Sequence, residues 1–466
     1  MSPPFRTRQR RQGHTFAHSL STFLSTFSCS LFTKPQIVTP PLHHDQHHDF
    51  SPINRRRAIG RPRQLRRNVP IYRNDFYIHP INEIPVEILC LIFESGTEAD
   101  VFFPITISHV CREWRQIALH MPSLWRRIEL GHEDRMWRER IRRAQGCPLD
   151  IQLLPSRQTR FGRRSQDLNP YTVNWHMHIV QPYIQQWRSL HIHFAEYSSY
   201  LWKAALAACT TAAHTLEELS LIYRHNDDIQ EFLLFDGYAP RLRRVTVDGI
   251  RLLWTPSLFA NLTYLDYTHH GFTSGYEAVQ DVIYLLSVSS RLIELRVHFP
   301  RGQIARLSSR HDSVTNHVTL PHLRVLHLTS NGSDIPFELA HFVTLVSTPS
   351  LMTLRLVDLA RSHHSFPSLK SFFYVYALPP TLRFICIGHG WYNPRMIQAM
   401  ARSLPRLVRI HVKRPRSPEH VVNLKPQIRE IPSFGSTRKS HVLVRTTDRF
   451  YCVDRLDIQY FPGYTA

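Results

Sequence analysis

Long hydrophobic runs, paired cysteines and common catalytic motifs are all missing from this chain of 466 residues. No stretch of about 18 uncharged apolar residues occurs, so we predict no transmembrane helix. The seven cysteines are scattered and include no Cys-x-x-Cys pair, which is typical of a reducing compartment where buried thiols act as small hydrophobic side chains. We therefore expect a cytoplasmic or nuclear protein.

The motifs that usually carry catalysis are also missing. There is no glycine-rich phosphate loop, no nucleophile elbow and no His-Glu-x-x-His sequence, and GFTSG at 271–275 places its serine one position off the elbow pattern. Histidine pairs occur at His191 and His193 and at 269–270 and 363–364, and we interpret them as solvated surface residues. We predict a protein that is not an enzyme, with no catalytic residue, no cofactor and no metal site.

Lysine is scarce, since only six of the 57 basic residues are lysines, and the positive charge is unevenly spread. Residues 1–74 carry thirteen basic and two acidic residues, a net charge of +11 out of +21 for the chain. A basic segment of this kind attracts nucleic acid, an anionic membrane surface or import machinery. Nucleic acid is therefore a candidate partner of this segment.

Residues 1–79 contain three separate patterns. The first is an arginine- and serine-rich start that resembles a mitochondrial presequence, the second is HHDQHH at 43–48, and the third is the basic block RRRAIGRPRQLRR at 55–67, typical of nuclear import or nucleic-acid binding. Four histidines without a second spaced ligand pair do not complete a tetrahedral metal site. We predict that 1–79 is a disordered basic tail, or lies upstream of the true start of the protein.

The segment INEIPVEILCLIFESG at 81–96 predicts a helix that is apolar on nearly every side. Asn82 or Ile84 would cap its start and Gly96 would end it. A second short helix, ITISHV, follows Pro104, and a third helix up to Pro122 has apolar residues at helical spacing. Three helices of this size make a unit near the lower limit for independent folding, so a second apolar side suits a protein partner.

These residues resemble the F-box, in the form common in fungal F-box-like proteins. The resemblance is carried by Ile-Pro-x-Glu-Ile-Leu-x-x-Ile-Phe, Val-Cys-Arg-x-Trp-Arg-x-Ile-Ala and Pro-Ser-Leu-Trp, and it places an F-box at 80–125. It implies binding to the Skp-type linker protein of a cullin–RING ubiquitin ligase, and through it to a cullin. The contact positions implied by the resemblance are Ile84, Pro85, Ile88, Leu89, Ile92, Phe93, Val110, Cys111 and Trp114.

A second pattern, Leu-x-x-Leu-x-Leu with conservative changes, recurs nine times after the F-box. It runs from Trp187, Leu190 and Ile192 to Leu407, Ile410 and Val412, with starts separated by 20 to 31 residues. The two-residue alternation predicts short strands with one buried face. Helices are predicted between them at 199–214, 227–235, 276–290, 335–347 and 393–404, with Asp227 and Asn393 as caps.

Strand and helix at this period resemble a degenerate leucine-rich-repeat array. The predicted fold class is α/β: a three-helix F-box followed by a curved solenoid with parallel strands and outer helices at 126–431, and a C-terminal cap or tail at 432–466. Such arrays bind partners on their concave face and adjoining loops. The candidate target-binding residues on strand-following loops are Tyr223, Arg224, Trp254, Tyr267, His269, Trp391 and Tyr392.

The resemblance implies a substrate receptor of a Skp–cullin–F-box ubiquitin ligase, in which the F-box binds the linker and the repeats bind a target for degradation. The basic tail leaves a different class of function open, a scaffold associated with nucleic acid or an organelle and without a ligase role.

Overall fold

The computed structural model describes residues 80–130, 134–154, 169–195, 197, 200–300, 316–413, 419–423, 443–446 and 449–452. The predicted basic tail 1–79 and most of the predicted cap 432–466 lie outside the described residues. The chain divides into two compact units, one ending at Leu124 and one beginning at Trp125.

The first unit is helical. A 3₁₀ turn at Pro80–Glu83 leads into α1 (Val86–Ala99), which is followed by α2 (Phe103–Ser108) and α3 (Arg112–His120). A further 3₁₀ turn, Pro122–Trp125, ends at the start of the second unit. The three predicted helices are therefore present.

Aromatic side chains form the centre of this helical unit. Phe93 of α1 is fully buried, and its ring packs edge to face against Trp114 of α3 and Phe103 of α2, with centroid distances of 5.0 and 6.4 Å. Leu89 and Ala118 complete the same core. Burial of these apolar surfaces is what holds so small a unit together.

The prediction that Gly96 ends the first helix is wrong, because α1 continues through it to Ala99. A Cβ atom at this position would collide with Cε1 of Phe103. Glycine therefore lets the Phe103 ring pack directly on the helix backbone. Neither predicted cap begins the helix either, since the residue at its N-terminal boundary is Pro85.

The second unit alternates strands with helices or turns. Its helices are α4 (Asp134–Ala144), α5 (Pro170–Val180), α6 (Leu201–Leu206), α7 (Pro256–Phe259), α8 (Gly275–Val288), α9 (Phe337–Leu345), α10 (Leu369–Val375) and α11 (Pro394–Ser403). Its strands are β1 (Arg127–Glu129), β2 (Leu149–Leu153), β3 (Trp187–His193), β4 (Glu218–Ile222), β5 (Arg244–Asp248), β6 (Tyr264–Thr268), β7 (Glu294–His298), β8 (Val318–Thr319), β9 (Val325–Ser330), β10 (Val346–Ser347), β11 (Thr353–Asp358), β12 (Phe384–Gly388), β13 (Arg409–Lys413), β14 (Glu419–Asn423), β15 (Leu443–Thr446) and β16 (Arg449–Cys452).

Eleven of these strands form one parallel sheet in the order β1-β2-β3-β4-β5-β6-β7-β9-β11-β12-β13. The order follows the chain, with β8 and β10 paired separately. After β13 the sheet continues antiparallel through β14, β15 and β16. The parallel sheet with intervening helices confirms the predicted α/β class, while the assignment to leucine-rich repeats stays a prediction.

Within most of the parallel strands buried and partly exposed residues alternate, although β2 and β9 contain runs of three buried residues. In β4, for example, Leu219 and Leu221 are fully buried, whereas Glu218, Ser220 and Ile222 are partly exposed. The strand register keeps the buried side chains level with one another across the sheet. The apolar face therefore forms a continuous core, as the two-residue alternation predicted.

The helix predictions are partly confirmed. Asn393 caps α11 by accepting hydrogen bonds from the N–H groups of Arg395 and Met396. The prediction of a helix at 227–235 is wrong, because Phe232 forms an isolated bridge with Leu252 instead. The predicted helix at 199–214 is helical only at Leu201–Leu206.

Candidate partner-binding surfaces

Helix α1 exposes apolar side chains on the side opposite its core contacts. Ile88 is 46% exposed and Leu91 is 62% exposed, although both side chains are large and apolar. Leu89 and Phe93, which face the core, have a spacing of four residues, and Ile88 and Leu91, three residues apart, lie on the other side. The helix therefore has two apolar sides, one buried in its own unit and one directed to solvent.

The nine positions implied for linker binding fall into three groups. Pro85, Ile88, Val110 and Cys111 are exposed, and Ile84 and Ile92 are partly exposed. The remaining three, Leu89, Phe93 and Trp114, are buried. These three side chains fill the space between α1, α2 and α3 and build the helical core, and their contact with a linker protein stays a prediction.

Other exposed apolar residues were missed by sequence reasoning. Val86 and Phe102 are both 46% exposed, and Leu91 is the most exposed large apolar residue among the described residues of the helical unit. The helical period alone could have found Leu91, because it lies three residues after Ile88 on the same side of α1. An exposed apolar set of this kind marks an interaction surface in a soluble protein.

The loop between α2 and α3 is fixed by local hydrogen bonds. The sulfur of Cys111 accepts the N–H of Trp114 at 3.4 Å and so caps α3, while Nε of Arg115 donates to the carbonyl of Ser108 at 2.7 Å. Both bonds hold the exposed Val110 in a defined position beside the start of α3. The thiol of Cys111 thus has a structural role in addition to its exposure.

The solvent face of the parallel sheet carries a network of charges that satisfy one another. Arg296 of β7 contacts Glu294 at 2.9 Å and Asp266 at 3.6 Å. Tyr264 lies beside two guanidinium groups, with its ring centroid 4.2 Å from Cζ of Arg244 and 5.3 Å from that of Arg296. Burial raises the pKa of the Asp266 carboxyl and of the Tyr264 phenol.

Most of the predicted target-binding residues do not lie on a surface. Tyr223, Trp254, Tyr267, His269 and Trp391 are buried, so these side chains belong to the core of the sheet unit, and their role in target binding stays a prediction. The alternation of side chains along a strand explains the burial of Tyr223. It lies two residues after Leu221, so its side chain falls on the same buried side as Leu219 and Leu221 although β4 has ended. Arg224 is exposed and pairs with Asp248 at 2.8 Å, and Tyr392 is partly exposed.

His269 and His270 are largely buried beside Asp281, which contradicts their interpretation as solvated residues. Their Nε2 atoms lie 3.6 and 3.5 Å from Oδ2 of Asp281. The Nδ1 atoms accept the backbone N–H groups of Gly271 and Phe272, both at 3.1 Å. Because Nδ1 is an acceptor in each ring, each neutral imidazole carries its proton on Nε2.

This histidine–aspartate cluster (His269, His270 and Asp281) has the residue types of a metal site. A metal ion would need the Nε2 lone pairs, and the tautomer fixed by the backbone does not offer them. Burial by itself would raise the pKa of Asp281, but hydrogen bonds from both histidines and from Thr273 lower it below its ordinary value. The cluster is therefore best described as a buried hydrogen-bond network.

Comparison with known families identifies the helical segment. Residues 81–131 match the family model described as F-box-like. The chain contains an F-box-like domain. A search of curated proteins found no match to the chain.

The F-box-like match covers α1, α2 and α3, so the two-sided helix belongs to this domain. Such a domain is typical of substrate receptors of Skp–cullin–F-box ligases, and it implies a Skp-type partner. F-box proteins are generally adaptors and not enzymes. Among the residues that the structure describes, no helix is long and apolar enough to cross a membrane.

Proposed function

We propose that this protein is a substrate receptor of a Skp–cullin–F-box ubiquitin ligase. In this proposal the F-box-like domain binds the Skp-type linker, and through it a cullin, while the parallel-sheet unit binds a target protein. The observation that carries the proposal is the exposed apolar side of α1, at Ile88 and Leu91, within a segment that matches the F-box-like family.

The proposed role requires no covalent chemistry from this chain. A receptor accelerates ubiquitin transfer by holding the target close to the charged conjugating enzyme, which raises the effective concentration of the reacting lysine. The protein would act in the cytoplasm or nucleus, in agreement with its scattered cysteines, which include no Cys-x-x-Cys pair. The buried core residues support the domain, and the exposed residues of α1 provide the contact with the linker.

The test is co-purification of the full chain with a Skp-type linker protein. Ile88→Glu combined with Leu91→Glu should abolish co-purification, because two charges would have to be desolvated against an apolar partner surface. The matched control is Ile229→Glu combined with Leu359→Glu, which introduces the same charges at exposed apolar positions of the sheet unit. Retained binding by the α1 variant, or no binding by the unmodified chain, would overturn the proposal.

The basic tail favours the second function, a scaffold associated with nucleic acid or an organelle, but that tail lies outside the described residues. Deletion of residues 1–79 separates the two functions. The receptor proposal expects linker binding to persist in the shortened chain, whereas the scaffold hypothesis expects loss of localisation and of salt-dependent nucleic-acid binding without any linker binding at all.

A further inference from the structure

A groove with a volume of about 730 Å³ runs along the amino ends of five adjacent strands, β7, β9, β11, β12 and β13. Four arginines line it: Arg291, Arg324, Arg383 and Arg406. His322 also lines the groove, and no carboxylate is among its lining residues. We call this surface, defined by the four arginines, the arginine groove.

The strand register explains why these side chains gather. The carbonyl of Arg324 accepts the N–H groups of Met352 and Thr353, and the carbonyl of Met352 accepts those of Arg383 and Phe384. Arg324, Met352 and Arg383 therefore occupy equivalent positions on successive strands. Parallel strands lie about 4.8 Å apart, so these positions form a row that runs from strand to strand at their amino ends.

The arginines of the groove are not neutralised by the protein itself. All four are exposed, and none forms an ion pair with a carboxylate within the part of the chain that the structure describes. Arg291 donates a hydrogen bond to the uncharged acceptor Oδ1 of Asn261 at 3.1 Å. This arrangement differs from the solvent face of the sheet, where Arg296 already has Glu294 and Asp266 as partners.

We propose that the arginine groove binds an extended acidic segment of a partner protein, through its aspartate and glutamate carboxylates. Planar guanidinium groups bind carboxylates in bidentate geometry, and such charge-assisted bonds are stronger than neutral ones. Five adjacent strands span roughly 19 Å at about 4.8 Å per step, the length of about six extended residues. Ile293, Pro321 and Met352 add apolar surface for the backbone and side chains of the segment.

Two other occupants fit less well. The terminal segments of this chain are themselves basic, with 13 basic and 3 acidic residues in 1–79 and 9 basic and 5 acidic residues in 414–466. They would be repelled by the groove. Single-stranded nucleic acid binds through aromatic stacking platforms as well as charge, and no Phe, Tyr or Trp is among the groove's lining residues.

This inference rests on the proposed function in one respect, namely that the segment is taken to belong to a target protein. The groove and the exposed side of α1 are separate sets of residues, so their tests are independent. Ile88→Glu with Leu91→Glu should lose the linker and keep the acidic peptide. Variants of the arginine groove should do the reverse.

The experiment measures binding of a fluorescent ten-residue Asp/Glu peptide to the full chain by fluorescence anisotropy at several salt concentrations. A peptide with Asn and Gln at the same positions is the neutral probe. Arg324→Gln combined with Arg383→Gln should weaken binding of the acidic peptide at least tenfold and reduce its salt dependence. The neutral peptide should bind at least tenfold more weakly than the acidic one to the unmodified chain.

The matched control is Arg361→Gln combined with Arg395→Gln, which removes the same charge beyond the carboxyl ends of β11 and β12. It should change the affinity by less than twofold. Equal weakening by both pairs would show attraction to net charge alone and overturn the proposal. So would equal binding of the neutral peptide, no binding of the acidic peptide, or tighter binding of a ten-residue oligothymidine through the same arginines.

Folding is checked separately, because a misfolded variant would imitate a loss of binding. Arg324 and Arg383 are exposed, so their replacement by glutamine should leave the thermal unfolding midpoint and the co-purification with the linker unchanged. Loss of peptide binding with both of these retained supports the arginine groove as the binding surface.

Discussion

The ring of Phe93 meets the ring of Trp114 edge to face, with centroids 5.0 Å apart and ring planes inclined by 63°. The contact joins α1 to α3 at the centre of the F-box-like domain, where the Phe93 side chain is fully buried. Because Phe93 belongs to the fold, a change there alters stability, whereas Ile88 and Leu91 can be changed with little effect on the core.

Phe93→Ala should destabilise the F-box-like domain by about 3–5 kcal/mol, since it removes a buried ring and leaves a cavity. Hydrogen exchange of the α1 and α3 amides, measured by mass spectrometry on the full chain, should show this loss of protection. Val86→Ala, at an exposed position of the same helix, is the control and should change protection by less than about 0.5 kcal/mol. Normal protection in Phe93→Ala would contradict the described core.

Gly96→Ala should destabilise the same domain by about 1–3 kcal/mol, although alanine favours a helix interior by about 1 kcal/mol over glycine. The added Cβ would collide with the ring of Phe103, so steric conflict outweighs the gain in helix propensity. Phe103→Leu in the Gly96→Ala background should recover part of the loss, because it removes the colliding ring atoms. Thermal unfolding of the four chains in this double-mutant cycle measures the coupling, and additive effects would contradict the close contact.

The sheet was predictable because alternation of apolar and polar residues reports directly on burial in a strand. Leu219 and Leu221 show this relation between alternation and burial. Tyr223 follows Leu221 at the same two-residue spacing, and that spacing predicts that its side chain is buried. The position of Tyr223 after the end of β4 predicts a loop side chain instead, whereas the structure buries it. The segment 227–235 failed for a different reason, since Phe232 pairs its backbone with residues 251–253, a tertiary contact that local sequence does not reveal.

The candidate binding surfaces were less predictable than the strands. Both sides of α1 are apolar, so composition could not decide whether Leu89 and Phe93 or Ile88 and Leu91 face the core. That choice depends on packing against α2 and α3. The arginine groove likewise depends on strand register, which brings Arg324 next to Met352 and Arg383 from separate parts of the chain.

The histidine–aspartate cluster should not bind zinc. Both Nδ1 atoms accept backbone N–H groups, so the Nε2 atoms that face Asp281 carry protons. Excess zinc added to the metal-free chain should not raise its unfolding midpoint. The shift caused by zinc should be the same in the original chain as in Asp281→Asn, whatever the starting midpoint of each. A zinc-dependent rise that is lost in Asp281→Asn would show that the tautomer assignment is wrong.

Asp281→Asn should itself lower stability at neutral pH, because it removes the charged acceptor of bonds from His269, His270 and Thr273. The lowered pKa of Asp281 means that its contribution is present above the ordinary carboxyl pKa and lost as pH falls through the folded value. The difference in unfolding free energy between the original chain and the variant should therefore narrow in strong acid. If this difference in unfolding free energy stayed constant with pH, Asp281 would not be the ionised acceptor of these hydrogen bonds.

His327 provides a test of pH dependence in a milder range. Burial lowers its pKa from the ordinary 6.5 to about 4, and Arg296 and Arg355 add to this effect. Glu294, 3.6 Å from Nε2, acts in the opposite direction but does not outweigh them. Between these two pH values the unfolded chain binds a proton that the folded chain excludes, so the free energy of unfolding should fall as pH decreases from about 6.5 toward 4.

His327→Gln removes this titration and should make the free energy of unfolding less dependent on pH over the same interval. Urea unfolding at pH 7 and at pH 5 measures the change. The control is His363→Gln, an exposed position, which should retain the pH dependence of the original chain. Other buried histidines with lowered pKa, such as His269 and His298, keep part of the dependence in every variant, so a reduction and not a complete loss is expected. An unchanged pH dependence in His327→Gln would show that His327 is not held neutral by its surroundings.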